Sequence, residues 1–231
     1  MVDKSQYDRM PQAERAVRRL GTNAIPYCLA TLSLGEQAKA TASLDKRRRA
    51  ELLSEGACKA LITLGSQVKP ALPNLTKLAL SADADTVSLS AAVLARLGSD
   101  GVAAMVTGMT NSSIAARVAI VSQLGFCGTN LLPHVSFVLD HLGGLDRSSC
   151  SSCCIALAME LESVTNLTSS FVSLLRSPDP FVRYGAIEGL SVLGTNAIQA
   201  LAALREMKTD SDEENVEAAK DAIWAISGKE E

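Results

Sequence analysis

Apolar residues recur three and four positions apart along nearly the whole chain, the spacing of one face of an α-helix. Val182, Ala186, Ile187, Leu190 and Leu193 form one such stripe, and Ile198, Leu201, Ala202 and Leu204 form the next. Between them stands Gly194-Thr195-Asn196. Glycine fits the left-handed residue that ends a helix, and Asn can cap the following one through its side-chain oxygen. Ser177-Pro178-Asp179-Pro180 opens the pair, with Asp179 as N-cap and Pro180 at the first helical position. Pro26, Pro73 and Pro133 fall in the first turns of other helices, where a missing N–H costs little. The pattern predicts first helices near 8–20, 46–64, 86–97, 113–125, 147–161, 180–193 and 213–226. It predicts second helices near 24–33, 70–80, 101–109, 131–142, 166–176 and 197–208. No run reads as a strand.

The junctions between paired helices repeat. Leu20-Gly21-Thr22-Asn23-Ala24-Ile25 recurs unchanged as Leu193-Gly194-Thr195-Asn196-Ala197-Ile198, and Gly128-Thr129-Asn130 is a looser copy. With Gly21, Gly65, Gly98, Gly128, Glu162, Gly194 and Ser227 taken as equivalent, the steps are 44, 33, 30, 34, 32 and 33 residues. A period of roughly 30 to 45 residues belongs to helical repeat arrays. The long first step absorbs the segment around Gly35 to Arg49. The expected fold is therefore all-α: a single domain over 1–231, built as an α-solenoid (superhelix) of about six and a half helical hairpins, each contacting only its neighbours.

Asp179-Pro180-Phe181-Val182-Arg183, followed by Ala186, Leu190, Leu193-Gly194 and Ala197-Ile198, resembles a HEAT repeat. More narrowly, it is similar to the bacterial HEAT-like repeats of the phycobilisome-lyase type. Only this unit carries the Val-Arg pair in the family position; Arg117 is a shifted match, and Glu217 follows Val216 where Arg is expected. The resemblance implies a solenoid whose second helices line a concave face, used for recognition more often than for chemistry. A repeat motif specifies fold and says little of function.

Composition sharpens the picture. Apolar residues make up 47% of the chain but aromatics only 3%, so the core is Ala, Leu, Val and Ile. No apolar run reaches the roughly 18 to 20 residues of a membrane span, and the first residues lack the apolar stretch of a secretory signal. Residues 1–60 hold 11 Lys/Arg against 7 Asp/Glu, a net of +4, whereas residues 141–231 hold 7 against 14, a net of −7. Lys46-Arg47-Arg48-Arg49 is the densest basic run. It reads as the solvated start of an amphipathic helix, with Glu51 and Glu55 nearby, rather than as a nucleic-acid patch. An isoelectric point near 5.5 and few aromatics argue against nucleic acid. Asp210-Ser211-Asp212-Glu213-Glu214 resembles a calcium loop but lacks its sixth-position glycine and closing Glu. Acidic residues at a helix start are favoured by the helix dipole in any case.

Six cysteines are present, most of them alone at apolar positions where Cys packs as a small hydrophobe. That pattern points to a reducing compartment and a cytoplasmic location. Cys150-Ser151-Ser152-Cys153-Cys154 is the exception. Packing, a redox or disulfide role, and a Cys/His zinc site with His134 or His141 are its three readings, of which packing is the expectation. There is no Gly-x-Ser-x-Gly, phosphate-binding glycine loop or His-Glu-x-x-His. HEAT-like dioxygenases use His-Glu pairs as iron ligands, and neither histidine here precedes Glu: the next residues are Val135 and Leu142. No enzyme, cofactor or metal site is implied.

What remains is binding. Ile25, Cys28, Leu29 and Leu32 are expected to pack inward, leaving Tyr27 outward, with Asn74, Ala104, His134, Ser170 and Ala200 equivalent to it. Lys77 and Phe137 lie one turn on, and Gln199 and Arg205 extend the row. The concave-face candidates are thus Tyr27, Asn74, Lys77, His134, Phe137, Gln199 and Arg205, and their expected partner is a protein or peptide. A non-catalytic interaction scaffold is the function expected. A nucleic-acid or phosphate-binding solenoid using the basic N-terminal third is the rival, and a bilin-lyase-like enzyme a weaker third. The helix at 213–226 reads as a cap that ends the array, with Val216, Ala219, Ile223 and Ile226 inward and Trp224 at least half buried. Met1 to Tyr7 offers no comparable cap, so upstream residues are expected there.

Overall fold

A computed structural model describes residues 4–39, 43–111, 113–161 and 167–228. Among them there is no strand; every regular element is helical. The chain forms two compact units, Met1–Ile120 and Val121–Glu231.

The first unit contains α1 (Lys4–Leu20), α2 (Ile25–Leu32), α3 (Leu34–Lys39), α4 (Leu44–Leu64), α5 (Leu72–Ala79), α6 (Ala84–Leu94) and α7 (Ser99–Val106), with α8 (Ile114–Val121) at its end. The second contains α9 (Val135–Asp140), α10 (Arg147–Leu161), α11 (Leu167–Leu174), α12 (Pro180–Leu193), α13 (Leu201–Glu206) and α14 (Glu213–Ser227). All the expected helices are present. The addition is α3, a short helix packed on α4 inside the long first repeat step. In the first unit α4 packs against α1, α2, α3 and α6; in the second, α12 packs between α10 and α14.

Glycine ends the first helix of most pairs. Gly21, Gly65, Gly98, Gly128 and Gly194 all have positive φ, between 53° and 78°. At Gly65 and Gly194 ψ is −128° and −132°, a mirror-image β conformation that a side chain would strain. The Glu162 junction lies outside the described residues.

The asparagines do not stand at the starts of the second helices. Asn23 and Asn196 sit inside 3-10 turns, Gly21–Ala24 and Gly194–Ala200, which lead straight into α2 and α13 from Ala24 and Ala200, both in helical conformation. The tight i→i+3 turns partner the backbone groups that a cap would otherwise serve. They also rotate the inward stripe. In the last pair Ala197, Ala200 and Leu204 are fully buried, while Ile198 is 59% exposed and Ala202 exposed. Three residues per turn through Ala200 put Ala197 and Ala200 on one side; a uniform 3.6 period put Ile198 there instead. Ala200 is therefore core, not an outward equivalent of Tyr27.

The first-helix stripes stand as read: Val182, Ala186, Ile187, Leu190 and Leu193 are all buried. Small residues let these helices approach closely. A Cβ on Gly185 would lie 2.7 Å from the Cys150 carbonyl oxygen, and one on Gly189 would lie 2.7 Å from the Phe171 ring. On α14, Asn215, Ala218, Ala219, Ala222, Ile223 and Ile226 are buried, but Trp224 is 58% exposed, against expectation. Trp224 follows Lys220 by four residues and Glu217 by seven, so it shares their polar face.

Residues 180–209 are long and apolar enough, by length and composition, to cross a membrane. Here they are broken by Gly194 and by non-helical backbone at Ala197, and α12 buries its apolar stripe against α10 and α14.

Candidate functional site

In the first unit α2 and α4 leave a groove of about 310 Å³ between them. Tyr27, Cys28 and Thr31 line one wall; Leu52, Leu53 and Gly56 line the other. Its apolar rim faces solvent: Tyr27 is 76%, Leu52 60% and Leu53 49% exposed. Gly56 is exposed, and a Cβ built on it meets nothing within 4 Å, so the groove is open there. Arg48 and Arg49, also exposed, precede Leu52 and Leu53 by one helical turn on α4. Glu51 and Glu55 border a separate cavity of about 390 Å³ with Asp83 and Asp85 of the α6 segment. The carboxylates of α4 thus adjoin the rim of the α2–α4 groove: Glu55 follows Leu52, and Glu51 follows Arg48, by three residues. Burial raises the Cys28 thiol pKa within the groove wall.

The second unit holds an acidic concavity of about 390 Å³ lined by Tyr184 and Glu188 of α12 and by Glu213, Glu217 and Asp221 of α14. Burial, with Asp221 adding to it, pushes the Glu188 carboxyl up.

Beside it, two arginines tie three first helices together. Arg183 Nε and Nη2 donate to Asp210 Oδ2 and Oδ1 at 2.7 and 2.8 Å, while Nη1 donates to the Ser177 and Pro178 carbonyls. Arg147 donates to Asp212 Oδ2 at 2.8 Å, pairs with Glu214 at 3.0 Å, and lies over the rings of Phe181 and Tyr184. Asn215, fully buried, donates to the Pro180 carbonyl and to Asp210 Oδ1. Burial raises the Asp210 pKa, but the hydrogen bonds from Arg183, the Asp212 N–H and Asn215 outweigh it and hold the carboxyl below the ordinary range. The Arg147 hydrogen bond does the same for Asp212. The acidic run 210–214 therefore does more than suit a helix dipole: its first members are the partners of Arg147 and Arg183.

The seven concave-face candidates divide between the units. Tyr27, Asn74 and Lys77 are exposed in the first, and Tyr27 alone among these three lines the α2–α4 groove. In the second, Gln199 and Arg205 are exposed, His134 is half-buried, and Phe137 is 37% exposed and stacked on His141 with ring centres 4.2 Å apart. His141 Nδ1 lies 2.7 Å from the Phe137 carbonyl oxygen. Cys150, Cys153 and Cys154 are fully buried, and the Cys150 thiol faces the Leu142 carbonyl at 3.7 Å. Burial drives the Cys153 and Cys154 thiols well up. These are packing positions. Among the described residues no group of three or more His, Cys, Asp or Glu is placed to hold a metal ion.

Sequence reading missed Leu52, Leu53 and Gly56, since an apolar residue in a helix gives no sign of whether a neighbour covers it. A glycine inside the predicted helix 46–64 was the available signal, because a mid-helix glycine costs stability and often marks close approach or open space.

No protein-family model matches the chain, and no curated protein matches it significantly. Among solved structures, an engineered protein from the Northeast Structural Genomics Consortium is 18% identical over 86% of this chain and 97% of that one, with a TM-score of 0.40. A likeness of that size carries no argument.

Proposed function

We propose that this chain is a HEAT-like α-solenoid, one domain over 1–231, that serves as a non-catalytic, cytoplasmic protein-interaction scaffold. Its partner is a protein or peptide seated in the α2–α4 groove. The observation that carries the reading is the ring of exposed apolar side chains, Tyr27, Leu52 and Leu53, around an open concavity with two arginines at one end. Exposed apolar side chains gathered at one depression, unlike scattered ones, mark an interaction site. Aromatic anchors beside arginines are the residue types that dominate interface energetics. The partner's matching chemistry is an apolar or aromatic anchor flanked by carboxylates. What supports the solenoid is the series packing of first helices within each unit, α4 on α6 and α10–α12–α14, with positive-φ glycine at the turns. Six free thiols, five of them buried, suit a reducing compartment.

Selection of a displayed random-peptide library on the purified chain tests the reading. Enriched sequences are expected to carry a large apolar residue one or two turns from Asp or Glu, and to lose binding to a Gly56→Glu variant. A chain that enriches nothing, or that binds its peptides equally well with Gly56→Glu, defeats the proposal. Enrichment of oligonucleotides instead, abolished by replacing Arg47, Arg48 and Arg49 with Ala, promotes the nucleic-acid reading.

A further inference from the structure

We infer that the occupant of the α2–α4 groove is the outer face of α14 from a second copy of this chain, giving head-to-tail association. The inference rests on the groove being the binding surface proposed above.

Charge complementarity carries it. The groove belongs to a segment of net +4, and α14 to a segment of net −7. The outer face of α14 exposes Glu213, Glu217, Asp221 and Trp224. These residues stand at i, i+4, i+8 and i+11, one stripe of a helix. Trp224 is the chain's only tryptophan and is 58% exposed, an apolar anchor on an acidic helix. Glu217 pairs with Lys220 at 2.6 Å, and Asp221 stands one turn before the indole.

The two faces share one spacing, seven residues from charge to anchor. On α14 the carboxylates of Glu217 and Asp221 precede Trp224 by seven and three residues. On α4 Arg49 precedes Gly56 and Leu52 by seven and three residues, and Arg48 precedes Leu52 by four. At about 1.5 Å rise per residue, both helices place charge and apolar anchor roughly 5 to 10 Å apart, in the same order along the chain. Laid parallel with the indole in the space left by Gly56 between Leu52, Leu53 and Tyr27, Glu217 stands level with Arg49, seven residues before the anchor on each helix. Because the two surfaces differ, the contact is heterologous.

The full chain supplies its own reporter. Sedimentation velocity over a roughly hundredfold concentration range should show mass rising with concentration. The emission of Trp224 should move to the blue in step, as the indole leaves water. Raising salt from about 0.05 to about 0.5 M should reverse both, since the exposed charges are then screened. Gly56→Glu and Trp224→Glu, each at an exposed helical position, should abolish self-association, with a drop of tenfold or more in apparent affinity. Mixed one to one, the two variants should form a two-chain complex and nothing larger, because one intact face of each survives. A wild-type chain that stays monomeric with unshifted emission at every concentration overturns the inference. So does association that persists in either variant alone. If the monomeric chain still binds peptides from the library, the groove stands as a binding surface and only its self-occupancy fails. If it binds neither, both readings fail.

Discussion

Single residues decide how closely the helices approach. Gly185 and Gly56 are both helical glycines, yet alanine should have opposite effects at them. At Gly185 the new methyl meets the Cys150 carbonyl oxygen at 2.7 Å, so the helices must separate. Gly185→Ala should cost about 1 to 3 kcal/mol. At Gly56 it meets nothing, so Gly56→Ala should add roughly 0.5 to 1 kcal/mol through helix propensity. Urea unfolding of the two variants checks the contrast; equal effects contradict the packing described. Asp210 supplies a pH prediction. Burial raises its pKa and the hydrogen bonds led by Arg183 lower it, with lowering the net result. A carboxylate whose folded pKa is depressed adds stability above its unfolded value, near 4, and loses it as pH falls through the folded value. Melting temperature should therefore fall below about pH 4, and less steeply in Asp210→Asn, which has no proton to take up. Equal slopes would remove Asp210 from the account. The residue scale was partly legible. The turn glycines and the Asp179 cap stood out in the sequence, since backbone geometry needs those residue types. The partners of Arg147 and Arg183 did not, because they lie 65 and 27 residues away and only packing brings them close.

Elements were read more faithfully in first helices than in second ones. First helices follow a 3.6-residue period from a polar start to a glycine, and periodicity captures that. The second helices α2, α5, α9 and α13 follow 3-10 turns, where the period is three, and in the last of them the stripe was assigned to the wrong residues at Ile198 and Ala202. A further repeat went unread in the loops before α6, α8, α12 and α14. Ser81, Asn111, Ser177 and Asp210 each accept, through the side chain, the backbone N–H two residues on. The residue that donates it, Asp83, Ser113, Asp179 or Asp212, then accepts an N–H from the first turn of the helix. These pairs are spaced 30, 66 and 33 residues apart, the repeat period or about twice it. Short polar residues suit the role because their side chains mimic a turn and then a cap. Asp179 also accepts from the Gly144 N–H at 3.1 Å, joining successive hairpins. Asp179→Ala should cost about 1 to 2 kcal/mol, read as a lower thermal midpoint. A change below about 0.3 kcal/mol would show that the loop holds without its cap.

At the scale of the whole molecule, the all-helical class followed from pattern alone, because nothing in the chain has a two-residue period. The candidate surface followed less well. Tyr27 was named from its helical position, whereas Leu52, Leu53 and Gly56 became visible only once α2 was seen to leave them uncovered. The remaining candidates, Asn74, Lys77, His134, Phe137, Gln199 and Arg205, sit on other helices, outside that groove. The measurement that bears most directly on the proposed scaffold is hydrogen–deuterium exchange with and without a library-selected peptide. Protection concentrated in α2 and in Arg48 to Ala60 of α4 is the predicted result. Protection concentrated instead around His134 and Phe137 or around Gln199 and Arg205, with α2 and α4 unchanged, would contradict the account.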